Sequence, residues 1–366
     1  MTGRFSGKPL VGSRQDRRKV GAVTGTGEVV HIGGYTAEAG GRAEGIVAAR
    51  RDPATGALTP LGTAAVTPSP SFLVRHPGLP VLYAVNELSD GRLSAFRVAP
   101  DGDLAPLGVL PTGGGEPCHL AVAPDGRHVF VANYGGGSVA VFPLDAEGVP
   151  GERTDLVRHE GHGADPERQE KAHCHMVSPD PSGGPLLAVD LGTDSVYRYD
   201  LDVASGRLVP RAPRLRTPAG TGPRHLARHP DGRRAWLVGE LDATVTAYDL
   251  TTDGLHQRVR VDASGRTGHV QPSEVAVGPD GRFLYVGNRG VGTVSVFALD
   301  GAAPELVAEV GTGGGWPRHF ALSGGFLYVA DERADLVGVF RVDPTTGVPE
   351  RVGEPVPLAS PTCVLV

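Results

Sequence analysis

The residue types in this chain that move protons or hold negative charge recur at one place in a repeated pattern. His119, His175, His225, Glu274 and His319 each open a short apolar stretch, HLAV, HMVS, HLAR, EVAV and HFAL, and Arg224 and Arg318 stand immediately before two of them. Imidazole and carboxylate are the usual general acids and bases, and a guanidinium stabilises developing negative charge or grips an anion in a forked geometry. A lone histidine is more simply explained as a partner of nearby backbone. Ionisable groups at matching positions of consecutive units instead point to a site, because neighbouring charges shift one another's pKa.

The unit that carries them is built for short strands. One copy runs His119-Leu-Ala-Val-Ala-Pro-Asp-Gly, then His128-Val-Phe-Val-Ala-Asn, then a glycine-rich turn and Ser138-Val-Ala-Val-Phe-Pro-Leu-Asp. Asp-Gly suits a tight hairpin, and β-branched and aromatic residues suit the strands on either side. Similar units begin at Phe72, His175, His225, Glu274 and His319, spaced 45 to 56 residues apart, the period of one propeller blade. A seventh is split. Glu28-Val-Val-His-Ile-Gly-Gly-Tyr and Gly45-Ile-Val-Ala-Ala-Arg supply its second and third strands, and Ser360-Pro-Thr-Cys-Val-Leu-Val at the far end supplies the first. The expected fold is therefore all-β, a seven-bladed β-propeller whose first blade is closed by the C-terminal strand. Residues 26–366 form this single domain, and residues 1–25 are expected to be a disordered extension.

In such a blade the first strand lines the central channel and the second returns beside it. Starts of first strands and ends of second strands thus share one face, opposite the Asp-Gly turns. The first set gives Phe72, His119, His175, His225, Glu274, His319 and Cys363. The second gives Tyr35, Glu87, Tyr134, Asp190, Glu240, Arg289 and Glu332. Between the third and fourth units lies an insertion, Gly151 to Ala172, containing Arg168 and leading into His173-Cys174-His175. Its attachment to the histidines suggests a lid over the channel mouth.

Composition narrows the partners. The formal charge of −6 and the lack of basic runs interleaved with aromatics argue against nucleic acid, and no apolar run is long enough to span a bilayer. Arg17-Arg18 resembles a twin-arginine signal but no apolar segment follows, and three widely spaced cysteines, Cys118, Cys174 and Cys363, fit a reducing cytoplasm. No cofactor motif is present and a monomer is expected. Several histidines and a glutamate suit Zn²⁺, yet they lack a compact ligand motif, so no metal is expected.

The segments PERQEKAHCHMVSPD, GPRHLARHPDG with GELDATV, GPDGRFLYVGNRG and WPRHFAL resemble the bacterial propeller-type 6-phosphogluconolactonases, whose fold is shared by the fungal carboxymuconate lactonizing enzymes. The resemblance runs from about Val29 to Val366. It implies hydrolysis of a small-molecule sugar lactone, with His175, Arg224, Glu240 and Arg289 as catalytic residues and Arg318 competing for the second arginine role. His119, His173, His225, His319, Arg168, Arg318 and Glu87 would surround the substrate. Under this reading Glu240 or His175 activates water, Arg224 holds the oxyanion, and Arg289 with Arg318 or Arg168 binds a phosphate. Gly239-Glu240 departs from the asparagine-glutamate usual at that place but keeps the acid. Cys174 raises the alternative of a nucleophilic thiol beside imidazole, and Cys118 at the matching place suggests simple packing. A muconolactone cycloisomerase and a non-catalytic binding propeller are the competing functions.

Overall fold

The computed structural model describes residues 27–366, so the expected N-terminal extension and Arg17-Arg18 lie outside the described residues. The chain forms seven antiparallel sheets of four or five strands. Blade one joins Pro361–Leu365 to Glu28–Gly34, Gly45–Arg51 and Leu58–Val66. Blade two runs Pro70–Arg75, Val81–Asn86, Arg92–Val98 and Leu104–Pro111, and blades three to seven repeat this order with inner strands Pro117–Val122, Cys174–Ser178, Pro223–Arg228, Val270–Val277 and Pro317–Ser323.

The second strands explain why the sheets stack. Val81–Asn86 and His128–Asn133 are buried at every position, because each such strand is covered by a blade on both faces. Alternate residues then serve opposite neighbours. Val81, Tyr83 and Val85 pack with Val129, Val131 and Phe142 of blade three, whereas Leu82 and Ala84 pack with Ile46 and Cys363 of blade one. Seven apolar clusters result, one in each gap between blades. Full burial of a side chain such as Phe142 contributes about 1.5–3 kcal/mol.

Blade four carries a correction to the expected insertion. Its first part is the outer strand of blade three, Asp155–Arg158, which pairs with Ser138–Pro143, so only the stretch from about residue 159 to 173 is an added loop. On the face away from the site, the Asp-Gly turns tie blades together. His76 and His229 each place Nε2 3.0 Å from the carbonyl of the next blade's turn glycine, Gly126 and Gly281. Both glycines have positive φ, 72° and 75°, and a Cβ there would collide with the same imidazole.

The ring closes as expected. Pro361–Leu365 pairs antiparallel with Glu28–Gly34, and Val364 enters the apolar cluster containing Ile32, Tyr328 and Ala330. No helix among the described residues is long and apolar enough to cross a membrane. A chain ending at Ser360 loses this strand and leaves Glu28–Gly34 as a bare edge. Its melting midpoint in scanning calorimetry should fall by more than about 10 °C; a shift below about 3 °C would show the closing strand to be dispensable.

Candidate active site

Each inner strand slips register against its neighbour at its start. The shift falls between Pro70 and Phe72, Pro117 and His119, Cys174 and Met176, Pro223 and Leu226, Pro272 and Val275, and Pro317 and His319. A bulge releases consecutive side chains from strict alternation. That is how Arg224 and His225, adjacent in sequence, both line one small cavity of about 10 Å³ together with Ser71, Phe72, Cys118, His175, Glu274, Arg318 and His319.

The register also corrects the assignment of His175. Met176 pairs with Val189 as His119 pairs with Ala132, so Met176 occupies the position equivalent to His119, and His175 lies in the bulge beside Cys118, Arg224 and Arg318 of other blades. Phe72, His119 and His225 close on one another, with ring centroids 4.3 Å apart for Phe72 and His119 and 5.3 Å for His119 and His225. His175 stands 5.1 Å from His225. Rings from four neighbouring blades thus meet at the cavity.

Glu240 is the electrostatic centre. It follows the second strand of blade five, Arg234–Gly239, and only 3% of it is exposed. Arg289 Nη2 donates to its Oε2 at 2.8 Å, Arg168 Nη2 to its Oε1 at 2.5 Å, and Gln271 Nε2 to Oε1 at 2.8 Å. Arg224 Nε lies 3.0 Å from Oε2 without the alignment of a hydrogen bond, while its Nη1 donates to the Ser273 carbonyl at 2.6 Å. Burial alone would raise the carboxyl pKa, but Arg289 and Arg224 outweigh it and hold Glu240 well below the usual carboxylate range. Burial pushes Arg289 down to about 10, against the pull of Glu240, which still leaves it charged at neutral pH.

The arginines divide by exposure. Arg289 is buried and also donates to the Gln271 and Pro272 carbonyls, so its Nε and Nη2 are committed to the scaffold. Arg168 keeps 37% of its side chain exposed. Arg318 belongs to a different group, donating to the Tyr35 hydroxyl and standing 3.7 Å from Glu87 and 3.5 Å from Glu332.

The loop that carries Arg168 does reach the mouth, and it is firmly fastened. Buried Gln169 accepts from Ala164 and Asp165 N–H and donates to the Leu191 carbonyl and Asp194. His159 Nδ1 meets Asp190 at 2.6 Å and its ring stacks on Tyr197. His173, placed with the substrate by sequence, serves as another fastening: its Nδ1 bonds the Tyr134 carbonyl, its Nε2 faces Glu170, and its ring stacks on Tyr134.

The imidazoles of the cavity, His175, His225 and His319, and His119 packed against them are neutral in character. Burial lowers the pKa of His119, His175 and His225 well below 6.5, helped for His175 and His225 by Arg224, and brings His319 to about 4 against the opposing charge of Glu274. His319 has a fixed tautomer: its Nδ1 accepts Val364 N–H, so its Nε2 carries the proton, 3.6 Å from Glu274. Glu274 also faces His225 Nδ1 at 3.0 Å. Among the described residues no group of three or more His, Cys, Asp or Glu side chains is arranged to hold a metal ion. The thiols of Cys118 and Cys174 are buried, and burial pushes both up in pKa, which favours the protonated form of a packing group over a thiolate.

Sequence missed Gln271 as a partner of Glu240. It lies upstream of the recognised unit start, on an inner strand that begins earlier than its equivalents, at Val270. No signal in the repeat marks it.

A propeller that gathers imidazoles, two arginines and two glutamates around one small cavity has the equipment of an enzyme of the hydrolase kind. The chain belongs to the seven-bladed β-propeller lactonase family, whose model matches residues 29–366. It is 33% identical over 345 residues to the 6-phosphogluconolactonase of Bacillus subtilis, covering 91% of this chain and 97% of that protein. It is 34% identical over 305 residues to the 6-phosphogluconolactonase of Pectobacterium carotovorum, covering 80% and 87%. Among solved structures, the periplasmic gluconolactonase of Pseudomonas aeruginosa superposes with a TM-score of 0.85 at 34% identity, covering 92% of this chain and 98% of that one.

The lowered imidazole pKa values have a consequence for stability. An unfolded chain takes up protons near pH 6.5 that the folded chain refuses until much lower pH, so the contribution of these histidines is complete above pH 6.5 and is lost as the pH falls toward 4. Glu274, raised by burial, opposes part of this loss. The melting midpoint should be level above pH 6.5 and fall steadily below it; a level profile down to pH 4 would mean that the folded imidazoles are charged.

Proposed function

We propose that this lactonase hydrolyses 6-phospho-D-glucono-1,5-lactone to 6-phosphogluconate, a step of the pentose phosphate pathway. The reading is supported by the names of the relatives and by one observation above all: the neutral imidazole of His175 shares a cavity with Arg224, whose charge is backed by Glu240 and its further arginines. The cavity volume of about 10 Å³ is close to that needed for one water molecule.

In the proposed reaction a water attacks the lactone carbonyl, forming a new C–O bond, as His175 takes its proton. Arg224 stabilises the oxyanion. Collapse breaks the bond to the ring oxygen, His175 returns the proton to that oxygen, and the open-chain acid leaves. Glu240 is a poor candidate for the base, because four donors and cations hold it ionised. Its part is to position the arginines. No described partner bonds Nε2 of His175, whose Nδ1 lies 3.7 Å from the Cys118 sulfur. Arg168, exposed and close to Glu240, is the arginine best placed to receive the substrate phosphate.

Steady-state assays test these roles. His175→Asn should lower kcat by about 10²–10⁴ with the fold intact, and unchanged kcat would remove His175 from the chemistry. Activity confined to muconolactone would replace hydrolysis by cycloisomerisation. Arg168→Ala should raise KM for the phosphorylated lactone roughly 10-fold more than for its unphosphorylated counterpart; equal effects on both would place the phosphate elsewhere.

A further inference from the structure

A second set of ionisable groups borders the same cavity, drawn from blades one, two and seven. Tyr35, Glu87 and Glu332 each follow a second strand, as Glu240 does in blade five, and Arg318 stands at the bulge of blade seven. Glu87 and Arg318 line the cavity that holds His175 and Arg224.

The hydrogen bonds among them run in one direction. Burial pushes the Tyr35 phenol well above its usual pKa, so it keeps its proton and donates it to Glu87 Oε1 at 2.7 Å, while its oxygen accepts from Arg318 Nη2. The other oxygens are left over. Glu87 Oε2 and Glu332 Oε2 are screened from solvent and accept no hydrogen bond, although Arg318 Nη1 lies 3.5 Å from the latter. The side chains of Glu87, Arg318 and Glu332 nevertheless keep 17%, 18% and 19% exposure, so a ligand reaches them after a small turn of a carboxylate about its soft terminal torsion.

The charge balance selects the ligand. Around Glu240 three guanidiniums face one carboxylate, but here two carboxylates face one guanidinium. A phosphate or carboxylate is repelled at this pole, and a cation finds its place already taken by Arg318. A hydroxyl fits, since it donates one hydrogen to a carboxylate and accepts from an arginine. We propose that Glu87, Glu332, Arg318 and Tyr35 form a hydroxyl-recognition subsite that seats a vicinal diol of a polyhydroxylated lactone ring, and so distinguishes sugar lactones from lactones without hydroxyls. This assignment rests on the lactone reading above.

The test compares D-glucono-1,5-lactone with δ-valerolactone, which has the same ring ester and no hydroxyl. Wild-type enzyme should prefer the sugar lactone, and Glu332→Gln and Glu87→Gln, both nearly isosteric, should lower the ratio of the two kcat/KM values by about 10-fold or more, mainly through KM for the sugar lactone. An unchanged ratio, even with both activities reduced, is what a purely structural role gives and overturns the proposal. If wild-type enzyme accelerates neither lactone, the same variants are assayed on 6-phospho-D-glucono-1,5-lactone, where an unchanged KM overturns the proposal; if that lactone is not hydrolysed either, the lactone reading itself fails, and titration calorimetry with D-glucitol then decides the subsite. Binding that weakens about 10-fold in both variants supports it; no binding, or equal binding in all three proteins, overturns it.

Discussion

A carboxylate taken out of water stays ionised only if its charge is answered nearby, and Glu240 draws its answers from three directions. Arg224 comes from its own blade, Arg289 and Gln271 come from blade six, and Arg168 comes from the loop between blades three and four. Removing one partner of such a buried pair typically costs about 3–5 kcal/mol, because the remaining charge is left unanswered. The same carboxylate therefore binds neighbouring blades together and aims positive charge at the cavity. Its low proton affinity follows from this work, which separates it from the proton-transfer role that its residue type first suggests.

Most of the fold was legible in sequence because the inner three strands of each unit carry a strong pattern. The second strands are covered on both sides and read as unbroken apolar runs such as VLYAVN and HVFVAN. The outer strands are different. Leu58–Val66 is largely exposed, so little in its sequence separates it from a loop, and Asp155–Arg158 was accordingly taken into the insertion. The split first blade was readable because its missing strand had a recognisable match at the other terminus.

The site was legible to the level of which residues share the channel mouth, and less so in their order. The repeat placed Arg224, Glu240 and Arg289 on one face, where they now meet. It misplaced His175 by one position, since a bulge hides the slip: Cys118-His119 and Cys174-His175 look equivalent as letters but not as paired residues. Roles within the face were harder still. That Arg289 is shared between Glu240 and two backbone carbonyls, or that His173 fastens a loop, depends on partners distant in sequence, and no local pattern encodes them.

The bond from Val364 N–H to His319 Nδ1 has a meaning in time as well as in space. The residue that fixes this tautomer belongs to Pro361–Leu365, the strand that completes the blade begun at Glu28. During synthesis the other six blades emerge in order, each able to pair within itself. The ring cannot close, and His319 cannot acquire its proton arrangement, until Pro361–Leu365 has been made and paired. A chain interrupted before Pro361 thus carries nearly every group of the site but lacks the strand that fixes His319 and packs blade one against blade seven.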